Sequence, residues 1–87
     1  MNELDELRNR IDSIDNELLE LLAQRVATIR AVGDYKKQHS LPPLASKRKN
    51  EVEDRWRTKA KSLGLSEEQM LKIYEVIHEY AIELESK

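Results

Sequence analysis

Four basic residues stand where an otherwise regular helical pattern calls for apolar or neutral side chains: Arg8, Arg25, Lys36 and Arg48. Apolar residues recur at Leu7, Ile11, Ile14, Leu18, Leu21/Leu22, Ile29 and Val32 in steps of three and four, the seam of a long amphipathic helix. Arg25 falls in the gap between Leu22 and Ile29, and Lys36 lies one turn beyond Val32. An unpaired charge is costly to bury, so each of these cations calls for an anionic partner, supplied by the protein or by a ligand. Arg25 and Lys36 are eleven residues apart, which on an ideal helix places them within about 20° in azimuth and roughly 16 Å apart along the axis. Two extended basic side chains at that spacing can close from both ends on a small anion. Arg8 precedes Arg25 by seventeen residues, about 100° around the helix and roughly 25 Å away. It joins such a cluster only if a second copy of the helix runs past the first.

Each cation has a structural alternative. Arg25 can set helix register against a Glu of a neighbouring helix. Lys36 can snorkel from a helix end, and Arg48 can sit on a solvated surface. Other chemistry has little to draw on. The chain has no Cys, so thiolate metal sites, disulfides and Cys nucleophiles are excluded. His39 and His78 lack ligand spacing, His39 being expected in a solvated loop and His78 on a helix flank, and neither a glycine-rich phosphate loop nor an H-E-x-x-H pattern is present.

The elements that position these cations are helical. The sequence has 87 residues, 37% of them charged and 39% hydrophobic, with no Phe, two Gly and two Pro. That composition suits a few long helices forming one small all-α domain over residues 1–87. Its net charge of −2, with both signs interspersed, argues against a nucleic-acid binder. No apolar run is of membrane-spanning length, and the Met1-Asn2-Glu3-Leu4-Asp5 start lacks the features of a signal peptide, so a cytoplasmic protein is expected. The first helix is expected from about Asn2, its N-cap, to about Gln38, with Gly33 a weak point; it would be roughly 55 Å long. A compact chain of this size has a radius of gyration of only about 12 Å. The remaining fifty or so residues cannot wrap such a helix, and a second copy is required. Pro42-Pro43 ends it. A second helix starts near Ala45 or Ser46, with Ser46 as N-cap, carries Val52, Trp56, Ala60 and Leu63 on one stripe, and stops at Gly64. A third begins at the capping box Ser66-Glu67-Glu68-Gln69 and turns Met70, Ile73, Tyr74, Ile77, Ala81 and Leu84 inward, with Glu85 bordering that face.

The run Leu7-Arg8-x-x-Ile11-x-x-Ile14-Asp15-x-x-Leu18-x-x-Leu21-Leu22-x-x-Arg25, followed by Val32-Gly33-x-x-Lys36 and then Arg48, resembles the all-helical (AroQ-class) chorismate mutases. The resemblance covers nearly the whole chain and is most specific from Arg8 to Lys36. It implies a three-helix protomer with one very long N-terminal helix, joined in an intertwined homodimer with two equivalent sites. It further implies that Arg25, Lys36 and Arg48 line one site while Arg8 reaches in from the other protomer. The implied substrate is chorismate, a dicarboxylate rearranged to prephenate in aromatic amino-acid biosynthesis, with no cofactor or metal. Arg8 and Arg25 would clamp carboxylates, and Lys36 would stabilise the negative charge that develops on the ether oxygen.

Three positions depart from the family pattern. Glu85 stands where a Gln usually donates to the ether oxygen; a carboxylate cannot donate, so Glu85 would have to carry a proton, a state that burial favours and a nearby Lys36 opposes. Lys49 replaces the acidic residue that usually meets the ring hydroxyl, with Glu51 a candidate substitute. Ala45, or Ser46 with a one-residue shift, replaces an Asp, and Ala81 replaces a common Ser. These departures keep open an isochorismate–pyruvate lyase of the same fold, beside a non-catalytic dimerisation module. Eighty-seven residues leave no room for a regulatory or fused domain, so a partner enzyme is expected only in trans.

Overall fold

The computed structural model describes residues 2–42 and 46–85, and the regular structure among them is entirely helical: α1 (Glu3–Gln38), α2 (Ser46–Ser62) and α3 (Glu67–Glu85). The expected boundaries hold because local signals set them. The Asn2 side chain accepts a hydrogen bond from the Asp5 amide at 2.8 Å, and Glu3, Asp5 and Glu6 complement the positive end of the α1 dipole. At the start of α3 the Gln69 amide donates to Ser66 Oγ at 3.2 Å, one half of the expected capping box. The proposed cap at Ser46, and Ala45 beside it, fall outside the side chains described.

Helices α1 and α2 stop by the same device. Leu41 N–H bonds Lys36 C=O at 2.8 Å and Ser40 N–H bonds Lys37 C=O at 3.3 Å; Leu65 and Gly64 repeat the pattern on Ala60 at 2.9 Å and Lys61 at 3.2 Å. Both are Schellman caps, whose turning residue adopts positive φ. Gly64 does so at 72° without penalty, and Ser40 does so at 54°, where an L side chain is crowded.

Helix α3 is the hub. It packs against α2 through its N-terminal half and against α1 through its C-terminal half, while α1 and α2 do not pack on each other. At Gly33, which is buried, the absent side chain lets the α3 backbone approach closely: a Cβ there would lie 3.5 Å from Glu85 Cα. The buried apolar core of the protomer consists of Ala60, Tyr74 and Ala81 alone among the described residues. Half of the α1 seam lies outside it. Leu7, Ile11, Ile14, Leu18 and Leu21 are all exposed, by 44–60%, whereas Leu22 and Ile29 are half-buried against α3. Leu63, expected on the α2 stripe, and Ile73, expected on the inner face of α3, are also exposed, at 60% and 48%. Leu63 lies one residue beyond the end of α2, where the chain has already begun to turn. The extents of 57 × 24 × 15 Å and a radius of gyration of 16.4 Å follow from α1 projecting beyond the other two helices. None of the helices among the described residues is long and apolar enough to cross a membrane.

Candidate functional site

Because α1 and α2 both lie on α3 without touching each other, a cavity of about 340 Å³ opens between them. Helix α1 supplies Arg25 and Lys36 to one wall, α2 supplies Arg48, Lys49 and Val52 to the other, and α3 forms the floor with Tyr74, His78, Ala81 and Glu85. Six of the seven residues expected at a site are thereby brought together: Arg25, Lys36, Arg48, Lys49, Ala81 and Glu85. The seventh, Arg8, lies on the exposed N-terminal half of α1 and does not line this cavity.

The cations differ in their surroundings. Arg25 is half-buried and has no carboxylate within ion-pair distance among the described residues. The register-setting Glu that would have made it structural is therefore missing among the described residues. Lys36 Nζ donates to Glu85 Oε1 at 2.8 Å, and the Glu85 side chain is only 9% exposed. This is the geometry in which an ammonium holds a carboxylate, and it occupies the group that the pattern of the resemblance asks to donate. Arg48 is at the outer edge, with Glu51 4.0 Å away and both side chains more than half exposed. Glu51 faces Arg48 from outside and does not line the cavity, so nothing in the geometry makes it the substitute for Lys49. Lys49 sits at the α2–α3 lip, its Nζ 3.7 Å from Glu75 Oε1.

Tyr74 and His78 on the floor form an aromatic cluster with Trp56. Tyr74, which was read only as a core residue, packs its ring on Trp56 (centroids 5.2 Å apart) and on His78 (5.5 Å). The Tyr74 hydroxyl lies 3.4 Å from His78 Nδ1, and His78 Nε2 is buried with no hydrogen-bond partner among the described residues. His78, expected on a helix flank, is thus a half-buried member of the cavity floor. Its position was readable in principle, because Tyr74, His78, Ala81 and Glu85 recur in steps of four, three and four. Burial pushes the Tyr74 phenol above its usual range against the opposing pull of the Arg25 charge; Glu53 adds to the rise, and Lys49 and Arg48 oppose it. Three cations from two walls therefore act together on one point of the floor. His39, by contrast, caps α1 in an exposed position, its ring stacked on Tyr35.

The class defined by this fold and cavity is a three-helix protein whose cleft gathers four cations, Arg25, Lys36, Arg48 and Lys49. Comparison with known sequences makes that class particular. The profile of the chorismate mutase type II family matches residues 7–86. The chain is 31% identical to a chorismate mutase of Methanocaldococcus jannaschii over 92% of its own length and 81% of that protein. It is 33% identical to a 4-amino-4-deoxychorismate mutase of Streptomyces venezuelae, over 87% of this chain and 74% of the relative. A T-protein of Haemophilus influenzae is 39% identical over 76% of this chain, which spans only 18% of that longer protein. The chain belongs to the chorismate mutase type II family.

Proposed function

We propose that the cavity between α1 and α2 binds chorismate and rearranges it to prephenate, a step toward phenylalanine and tyrosine, and that the protein does so as a cytoplasmic, intertwined homodimer. The observation that carries this reading is Arg25: a half-buried guanidinium without a carboxylate partner, in a cavity shared with Lys36 and Arg48. A dicarboxylate supplies the anions that such an arrangement needs. The reaction is intramolecular. The ether C–O bond breaks as a C–C bond forms within the same molecule, and no proton or group leaves. The protein's task is to hold the flexible ether in its compact reactive conformer, a positioning effect. Arg25, with Arg8 of the second copy, clamps the carboxylates beside Arg48, and Lys36 faces the ether oxygen, where preorganised positive charge stabilises developing negative charge by about 3 kcal/mol in comparable sites. Glu85, which accepts from Lys36 at 2.8 Å, orients that ammonium toward the cavity.

Two features support the second copy. The exposed stripe Leu7, Ile11, Ile14, Leu18 and Leu21 is a continuous apolar face with nothing in its own protomer to cover it. A separate groove of about 290 Å³ between α1 and α3, lined by Leu22, Val26, Ile29, Ile77, Tyr80 and Leu84, offers an apolar bed for such a face. An antiparallel partner helix laid along the α1 seam carries its Arg8 toward Arg25 and Lys36, a distance of roughly 25 Å that one chain cannot bridge.

Incubation of the purified protein with chorismate, and separately with isochorismate, tests the reading. Prephenate formed from chorismate supports it. Salicylate and pyruvate from isochorismate would assign the lyase reaction to the same cavity, and turnover of neither would leave a non-catalytic dimerisation module.

A further inference from the structure

We propose that Lys49 makes this cavity selective by charge, accepting a chorismate-type dianion whose ring carries a neutral hydroxyl and rejecting one whose ring carries an ammonium. The proposal rests on the chorismate reading above and specifies the substrate within it. The walls and floor present four cations, Arg25, Lys36, Arg48 and Lys49, against one carboxylate, Glu85, which is already held by Lys36 at 2.8 Å. Two substrate carboxylates occupy two or three of those cations. Lys49 is in excess of that requirement, and it stands on the α2 wall, across from the Arg25 and Lys36 pair.

The Lys49 charge reaches the interior. Its field is felt at the Tyr74 phenol on the floor, together with those of Arg25 and Arg48. Its protein partner, Glu75, is 3.7 Å away, half exposed and outside the cavity lining, so it offsets that field only in part. A substituent lying toward α2 therefore meets net positive charge. The amine of 4-amino-4-deoxychorismate, an aliphatic amine, is protonated at neutral pH. A like charge about 8 Å from Lys49, at an effective dielectric of about 20, lowers its binding by more than tenfold relative to a hydroxyl. Overall likeness does not distinguish the two substrates, since relatives named for each are about equally similar to this chain. The local charge does.

The test compares kcat/KM for chorismate and for 4-amino-4-deoxychorismate in the wild type and in Lys49→Gln, Lys49→Glu and Glu75→Gln, with ligand-induced shifts in Tm for both compounds as a second readout. The wild type is expected to favour chorismate by at least tenfold. That preference falls by about tenfold in Lys49→Gln, falls further or reverses in Lys49→Glu, and is retained or enlarged in Glu75→Gln, which removes the outer partner of Lys49. Equal use of both compounds by the wild type overturns the proposal. So does an unchanged ratio in the Lys49 variants, including one in which both activities fall equally, which would make Lys49 part of the carboxylate clamp. A wild type that turns over neither compound is a separate failure, that of the chorismate reading, and the Tm shifts then still report whether Lys49 sets the preference between the two ligands.

Discussion

The two halves of α1 share one hydrophobic repeat and have opposite fates. From Leu22 onward the helix rests on α3, buries Gly33 and places Arg25 and Lys36 in the cavity wall. Before Leu22 the same repeat continues for five turns with every residue exposed. An apolar seam on a helix states that something will cover it, and the contrast shows that in this chain the cover comes from two sources. One is α3, in the same protomer. The other must come from outside, and the half that lacks its cover is also the half that bears Arg8. The proposed interface and the cavity cations are therefore carried by a single helix, at different distances from its middle.

The sharpest way to break this comparison is to charge the uncovered half. Ile14→Asp is expected to reduce activity more than a hundredfold and to abolish a cooperative melting transition at micromolar protein, because an ionised carboxylate resists burial in an apolar interface. Sedimentation velocity and circular dichroism measure both effects. Unchanged sedimentation and melting would show that the exposed stripe needs no partner.

Next in size is Arg25→Ala in the covered half, expected to lower kcat/KM by about two to three orders of magnitude while leaving the melting transition within a few degrees, the loss of one preorganised charge contact. Arg8→Ala should be similarly impaired if the halves meet across a two-fold axis. The two defective proteins, unfolded and refolded as an equal mixture, should then recover about a quarter of wild-type activity, because half of the dimers are mixed and each mixed dimer has one intact site. No recovery would confine the clamp to one protomer.

A smaller effect is expected at the far end of the covered half. Glu85→Gln replaces the carboxylate that occupies Lys36 with a neutral donor, so kcat/KM at neutral pH should rise by about fivefold. A kcat/KM equal to that of the wild type would remove Glu85 from the reaction. The smallest change concerns Gly33. A methyl group there meets Glu85 Cα at ordinary van der Waals distance, 3.5 Å. Gly33→Ala is therefore expected to raise stability by about 0.5–1 kcal/mol through helix propensity, read from chemical denaturation.

Much of this architecture was legible in the chain. The bounds of α1 could be read from Asn2 and from the proline pair, and the bounds of α3 from Ser66 and Gln69, because caps and breakers act over three or four residues and need no tertiary context. The cavity cations were legible for a related reason: Arg25 and Lys36 interrupt a period, and an interruption is visible without coordinates. Less legible was whatever depends on how the helices lie on one another. Ile73 fits an inward stripe, yet it is exposed because α3 shares its faces between two helices that do not pack together. His78 was assigned to a flank because a lone His has no ligand spacing, although its neighbours at Tyr74, Ala81 and Glu85 all face the cavity. Nor did sequence show that Lys36 and Glu85 meet at 2.8 Å across 49 positions, since contacts of that separation are set by the fold rather than by local pattern.

The bare half of α1 also has a kinetic consequence. Among the described residues the protomer's own core amounts to Ala60 on α2 and Tyr74 and Ala81 on α3, too little to fix a helix of 36 residues before a partner arrives. In the proposed dimer, folding and association are then a single bimolecular event, and the rate at which newly made chains fold rises with their concentration. Dilution of that dimer would remove activity and structure together, with no idle folded monomer in between.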